Sequence, residues 1–80
     1  MSTKPAARAA AKLDLLTDRE RDVLALMARG ATNAEIAATL YVAEATVKTH
    51  VGSIFAKLDV RDRPAAIVFA YDHGVVTPGA

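Results

Sequence analysis

The sequence predicts an all-α fold, a compact four-helix bundle, and three observations carry that expectation. Two Thr-x-x-Glu capping boxes begin fifteen positions apart, at Thr17 and Thr32. Apolar residues recur at steps of three and four from Val23 to Leu58, the period of helices with one buried face. No stretch alternates apolar and polar residues long enough to make a strand.

Residues 1–14 are alanine-rich, with Lys4, Arg8 and Lys12 the only charges before Asp14, and read as a linker or N-terminal extension. Alanine favours helix, so 6–13 is expected to be partly helical, although a helix this short needs something to pack on. The folded domain is expected over 15–77, with 78–80 as a tail. Its first helix spans about 18–28. Thr17 and Glu20 close the box, Val23, Leu24 and Met27 form the stripe, and Arg29-Gly30 ends it with a residue tolerant of left-handed geometry. The second spans about 33–40, capped by Thr32 and Glu35 with Ile36, Ala37 and Leu40 inward. Residues 41–43 leave room only for a tight turn. The third follows at about 44–58, with Val47, Val51, Ile54, Phe55 and Leu58 at helical steps. Asp62 caps a fourth at about 63–72, and Pro64 falls in its first turn, where a missing N–H costs nothing.

Composition bounds the function. Hydrophobic residues make up 52% and charged residues 24%, which places the chain with ordinary folded domains rather than disordered ones. At 80 residues it is a single domain. Such a chain buries only about 60% of its unfolded surface. There is no cysteine and only two distant histidines, His50 and His73, so no metal or cofactor is expected. No apolar run approaches the roughly 18 residues of a membrane span, and residues 1–12 lack a secretory core, so a cytoplasmic protein with no membrane partner is expected. Neither histidine has an evident nucleophile or carboxylate beside it, and no glycine loop cradles phosphate, so the chain is not expected to be an enzyme. Net charge is only +1. Composition alone therefore does not announce a nucleic-acid partner.

The pattern does. Two helices joined by a turn of three or four residues form a helix-turn-helix, here about 33–52, whose second helix protrudes toward a major groove. Opposite the buried stripe, the third helix carries Ala45, Thr49, Gly52, Ser53 and Ala56, a small and smooth face where solubility alone would favour charged side chains. Such a face lets the backbone approach base edges, with Lys48 able to reach guanine and Thr49 able to touch a thymine methyl or donate a hydrogen bond. Thr46, His50, Lys57 and the amide end of the second helix at Thr32 and Asn33 are placed to hold phosphates. The same small residues would equally suit helix–helix packing, and pattern alone leaves both readings open.

The run LTDRERDVL at 16–24, Gly30, NAEIA at 33–37, Leu40, TVKTHV at 46–51, Ile54, Lys57, Leu58, Arg63, Ala66 and Gly74 resembles the LuxR-type helix-turn-helix domain, in particular its NarL/FixJ response-regulator branch. The match covers about 15–76. The resemblance implies sequence-specific binding of double-stranded DNA by a transcriptional regulator, with the positions of Lys48, Thr49, Gly52 and Ser53 facing bases. It places Thr32, Asn33, Thr46, His50 and Lys57 at the phosphates. It also implies an effector domain that follows a receiver domain in a two-component system. Three residues depart from the pattern: Ala43 where a serine usually caps the recognition helix, Gly52 where a polar contact is common, and Pro64.

Residues 65–71 are apolar without interruption, more than one face of a helix hides in a monomer this small. Ala66, Ile67, Ala70 and Tyr71 are expected to complete the core. Ala65, Val68, Phe69 and Asp72 share the other side, an exposed patch that suits an interface or, for Phe69, packing against 6–13. The resemblance implies that this helix makes the dimer contact, so a homodimer on a roughly palindromic site is expected. The rival reading is a protein-interaction module that docks on RNA polymerase or a receiver domain. It draws on the cancelling charges of Lys48 and Lys57 against Glu35 and Glu44.

Overall fold

Each helix starts where a side chain satisfies its free amides, with one exception that carries a consequence. The computed structural model describes residues 11–76. Four helices run through them: α1 (Asp18–Ala28), α2 (Asn33–Leu40), α3 (Glu44–Leu58) and α4 (Arg63–Asp72). Residues 11–14 are helical as well, the end of the segment expected over 6–13. The rest of that segment and the tail at 78–80 lie outside the described residues.

Both capping boxes close. The Thr17 hydroxyl accepts from the Glu20 amide at 3.1 Å, and Glu20 Oε1 accepts from the Thr17 amide at 2.8 Å. Thr32 and Glu35 repeat the arrangement at 3.1 and 2.9 Å. Asp62 accepts from the Ala65 amide at 2.9 Å to open α4, with Pro64 in the first turn. After α1 the chain reverses through Gly30 at φ +93°, with Gly30 N–H donating to the Met27 carbonyl and Ala31 N–H to that of Leu26. This is the glycine-dependent Schellman end, which satisfies carbonyls that the helix leaves free.

The core is contiguous. Val23, Leu24 and Met27 of α1 meet Ile36 of α2 and Val47, Ile54 and Leu58 of α3, all fully buried. α1 packs on α3 and α4, and α2 packs on α3. From α4 only Ala66 and Ala70 are buried, and these small residues let its backbone approach α1. Leu16 and Val76 close the core at either end of the chain.

Three expectations shift at the rim. Val51 and Ile67 are half-buried rather than central. Tyr71 stays 37% exposed because its hydroxyl reaches out to donate to the Ala28 carbonyl at 3.1 Å, in the last turn of α1 where intrahelical donors have run out. Phe69, expected to be exposed, is half-buried and stacks on His73 with ring centroids 4.3 Å apart.

The exception is α3. Its N-cap, Ala43, has the extended backbone that a cap requires (φ −71°, ψ 149°) but makes no side-chain bond. Glu44, the acidic residue of the first turn, compensates through the helix dipole. Ala43→Ser is therefore expected to stabilise the fold by about 1 kcal/mol. Thermal unfolding should show the midpoint rising by roughly 4–8 °C; an unchanged midpoint would mean that Glu44 already does the work of a cap.

Candidate nucleic-acid interface

The face of α3 that turns away from the core is built from its sequence period. With Val47, Ile54 and Leu58 inward, Ala45, Thr46, Lys48, Thr49, Gly52 and Ala56 are all exposed. Lys48 is the cation of this surface. Thr49 is exposed, but its hydroxyl donates to the Ala45 carbonyl one turn back at 3.1 Å. His50 is half-buried at the edge.

Ser53 and Lys57, expected among the base and phosphate contacts, are committed inward. The Ser53 hydroxyl donates to Glu20 Oε2 at 2.5 Å, and the Lys57 ammonium donates to Glu20 Oε1 at 2.7 Å. The Glu20 side chain is only 5% exposed, against 33% for Lys57. Burial pushes the Glu20 carboxyl up, but the bonds from Lys57, Ser53 and the Thr17 amide, together with the Lys57 charge, outweigh it and hold its pKa at about 2. One carboxylate thus closes the N-terminus of α1 and locks the second half of α3 against it. The capping box announces Glu20, but its two tertiary partners lie 33 and 37 positions away, beyond any local signal.

The N-terminus of α2 is fixed in the same manner. Arg63, at the start of α4, donates through one nitrogen to Asn33 Oδ1 at 2.8 Å and through the other to the Ala31 carbonyl at 2.7 Å. Asn33 is half-buried and Thr32 exposed. With Oδ1 occupied, the Nδ2 hydrogens are what the Asn33 amide has to offer. The Thr32 backbone amide and hydroxyl, bonded to Glu35, hold the Glu35 carboxyl below its usual range, so it remains ionised at this helix end.

On α4, Val68 is 58% exposed and Asp72 is exposed, while Ala65 and Phe69 are half-buried. An open cleft of about 320 Å³ lies elsewhere, between α1 and the chain after α4, with Arg21, Asp22 and His73 on its walls, and no α3 residue lines it. Among the described residues no helix is long and apolar enough to cross a membrane. No group of three or more potential metal ligands comes together among them either.

Among the described residues, α3 presents a low-relief face with Lys48 exposed on it, braced from behind by the ion pair of Lys57 with the buried Glu20 carboxylate. Over residues 14–70 the sequence matches a family described as "Bacterial regulatory proteins, luxR family". Similar curated proteins include the response regulator protein VraR of Staphylococcus aureus, Staphylococcus saprophyticus and Staphylococcus epidermidis. Each is 43% identical over 63 residues, which cover 79% of this chain and 30% of the relative. The chain thus spans less than a third of the length of these relatives.

Proposed function

This chain belongs to the luxR family of bacterial regulatory proteins, and from that premise we propose that it regulates transcription by binding double-stranded DNA sequence-specifically, with α3 in the major groove. The observation that carries the reading is the exposed face of α3. Ala45, Thr49, Gly52 and Ala56 present little relief beside an exposed Lys48, while Val47, Ile54 and Leu58 are buried and Ser53 and Lys57 are braced by Glu20. A flat face of this kind brings backbone and methyl groups to base edges, and the lysine reaches the acceptors of a guanine.

In this reading Lys48, Thr49 and Gly52 meet bases. Thr32, Asn33, Thr46 and His50 meet phosphates, with the amides of the α2 N-terminus adding a favourable dipole. Ser53 and Lys57 serve mainly as supports, their polar atoms taken up by Glu20. Two copies meet on DNA through the exposed side of α4, where Ala65, Val68, Phe69 and Asp72 form the contact. Two-fold symmetry then sets the recognition helices about 34–36 Å apart, one turn of the duplex. The response-regulator relatives support a role as effector domain under the control of a receiver domain, with RNA polymerase as a further partner in the cytoplasm.

Selection of bound sequences from a random duplex library tests the proposal. Enrichment of a roughly palindromic site with half-sites about 10 base pairs apart is the expected result. Enrichment of a single unrepeated half-site would remove the dimer, and no enrichment at all would remove sequence-specific binding. The charge balance favours one second reading, a protein-docking module, because Lys57 is neutralised by Glu20 and the remaining charges of α3, Lys48 and Glu44, cancel. That reading predicts no enrichment and retained binding to a receiver domain or RNA polymerase.

A further inference from the structure

Gly52 is an anomaly that the fold does not explain. It sits in the interior of α3, where glycine destabilises a helix by about 0.5–1 kcal/mol relative to alanine. Its backbone is not in the left-handed region, and a Cβ added there would meet nothing within 4 Å. Among the described residues, no turn, no close helix contact and no packing neighbour requires the missing side chain. The space that the missing Cβ leaves open is available to a partner that approaches α3 closely at this point.

Thr49, three positions earlier and on the same face, says what that something is. Its one hydroxyl hydrogen is committed to the Ala45 carbonyl. What the side chain then offers outward is a methyl group and an oxygen lone pair, with no donor. The neighbouring exposed positions, Ala45 and Ala56, add only methyl groups. Lys48 flanks this step and carries the donors of the face; the step from Thr49 to Gly52 itself offers none to the acceptors of a purine edge. Among the groups displayed in the major groove, the one it complements is the 5-methyl of thymine.

We propose that the step from Thr49 to Gly52 is a socket for a thymine methyl group: the Thr49 methyl forms one wall, and the absent Cβ of Gly52 leaves the depth for the base edge. The inference rests on the DNA-reading role proposed above and sharpens it into a base preference. It also makes Gly52 a position where fold stability is sacrificed for close approach.

The test uses the 80-residue chain and the duplex it selects from a random library, with thymines replaced one at a time by deoxyuridine, which lacks only the methyl. Affinity should fall about fourfold at one thymine in each half-site, the worth of one buried methyl. Thr49→Val, which keeps a methyl and loses the hydroxyl, should retain that sensitivity, and Thr49→Ser should lose it. Gly52→Ala should raise the thermal midpoint by roughly 2–8 °C while weakening binding at least about fivefold, because the added methyl fills the socket. Deoxyuridine tolerated at every position, equal sensitivity in Thr49→Ser, or unchanged affinity in Gly52→Ala would each overturn the socket while leaving the DNA-binding role intact. Failure to select any duplex would overturn both.

Discussion

Glu20→Ala should destabilise the chain by about 3 kcal/mol, close to the effect of losing a packed core side chain, although the residue is a carboxylate at the start of a helix. The substitution removes three bonds at once. The Thr17 amide loses the reciprocal half of its capping box, the Ser53 hydroxyl loses its acceptor, and the Lys57 ammonium loses its counter-charge. Lys57 is one-third exposed and rehydrates in part, so the loss stays below that of stranding a fully buried charge. In a domain of this size the thermal midpoint should fall by roughly 12–24 °C. Glu20→Gln, which keeps an acceptor and loses the charge, should fall between the variant and the parent. An alanine variant that melts within about 2 °C of the parent would show that the network is decorative.

The same carboxylate fixes the acid limit of the fold. Its folded pKa of about 2 lies below its ordinary value of 4.5, so the folded state favours the ionised form. The stability that this contributes is fully present above pH 4.5 and is lost as pH falls toward 2. A depression of that size corresponds to about 3 kcal/mol. Denaturant midpoints should decline across this window in the parent chain and decline markedly less in Glu20→Gln.

Glu20 also marks the boundary of what can be read from sequence. Helix starts are local affairs: a threonine and a glutamate three positions on lie close together in sequence, and α1 and α2 begin where those signals put them, as α4 begins after Asp62. Whether the glutamate of a capping box also carries a tertiary ion pair depends on which residue of α3 faces it. That is set by how α1 and α3 pack. Ser53 lies roughly 100° around the helix from the buried Ile54, a position that a helical wheel assigns to the free face and that packing turns toward α1. The Arg63 bridge to Asn33 and Ala31 was hidden for the same reason, since it spans about 30 residues. The turn between α2 and α3 illustrates a different failure. Tyr41 adopts φ +58° where glycine would be the expected residue, and it is 95% exposed, so no packing signal marked it. The small, smooth surface of α3 was legible, because residue type and helical period suffice to define it.

Lys48→Ala should cost about 1–3 kcal/mol in affinity for the selected site, roughly five- to 150-fold, the largest expected effect of any surface substitution in this domain. Lys48 is exposed on the reading face of α3, whereas Lys57 is held by Glu20. The form of the loss distinguishes its role. If Lys48 reads a guanine, binding weakens on the selected site, unspecific duplexes are little affected, and specificity relaxes at one base pair. If it holds a phosphate, binding weakens uniformly and the salt slope becomes shallower by about 1. Unchanged affinity would move base reading to another part of the chain.

The central claim is that α3 and the start of α2 form a DNA-binding surface, and its most direct test is the affinity of the chain for its selected duplex as a function of salt. Fluorescence anisotropy across a series of salt concentrations should give a linear fall of log affinity with log salt. Each neutralised phosphate contributes about 0.9 to the slope, so even one per copy in a dimer requires a slope of about −2 or steeper. Binding that does not depend on salt, or no binding at high micromolar protein, would contradict the claim.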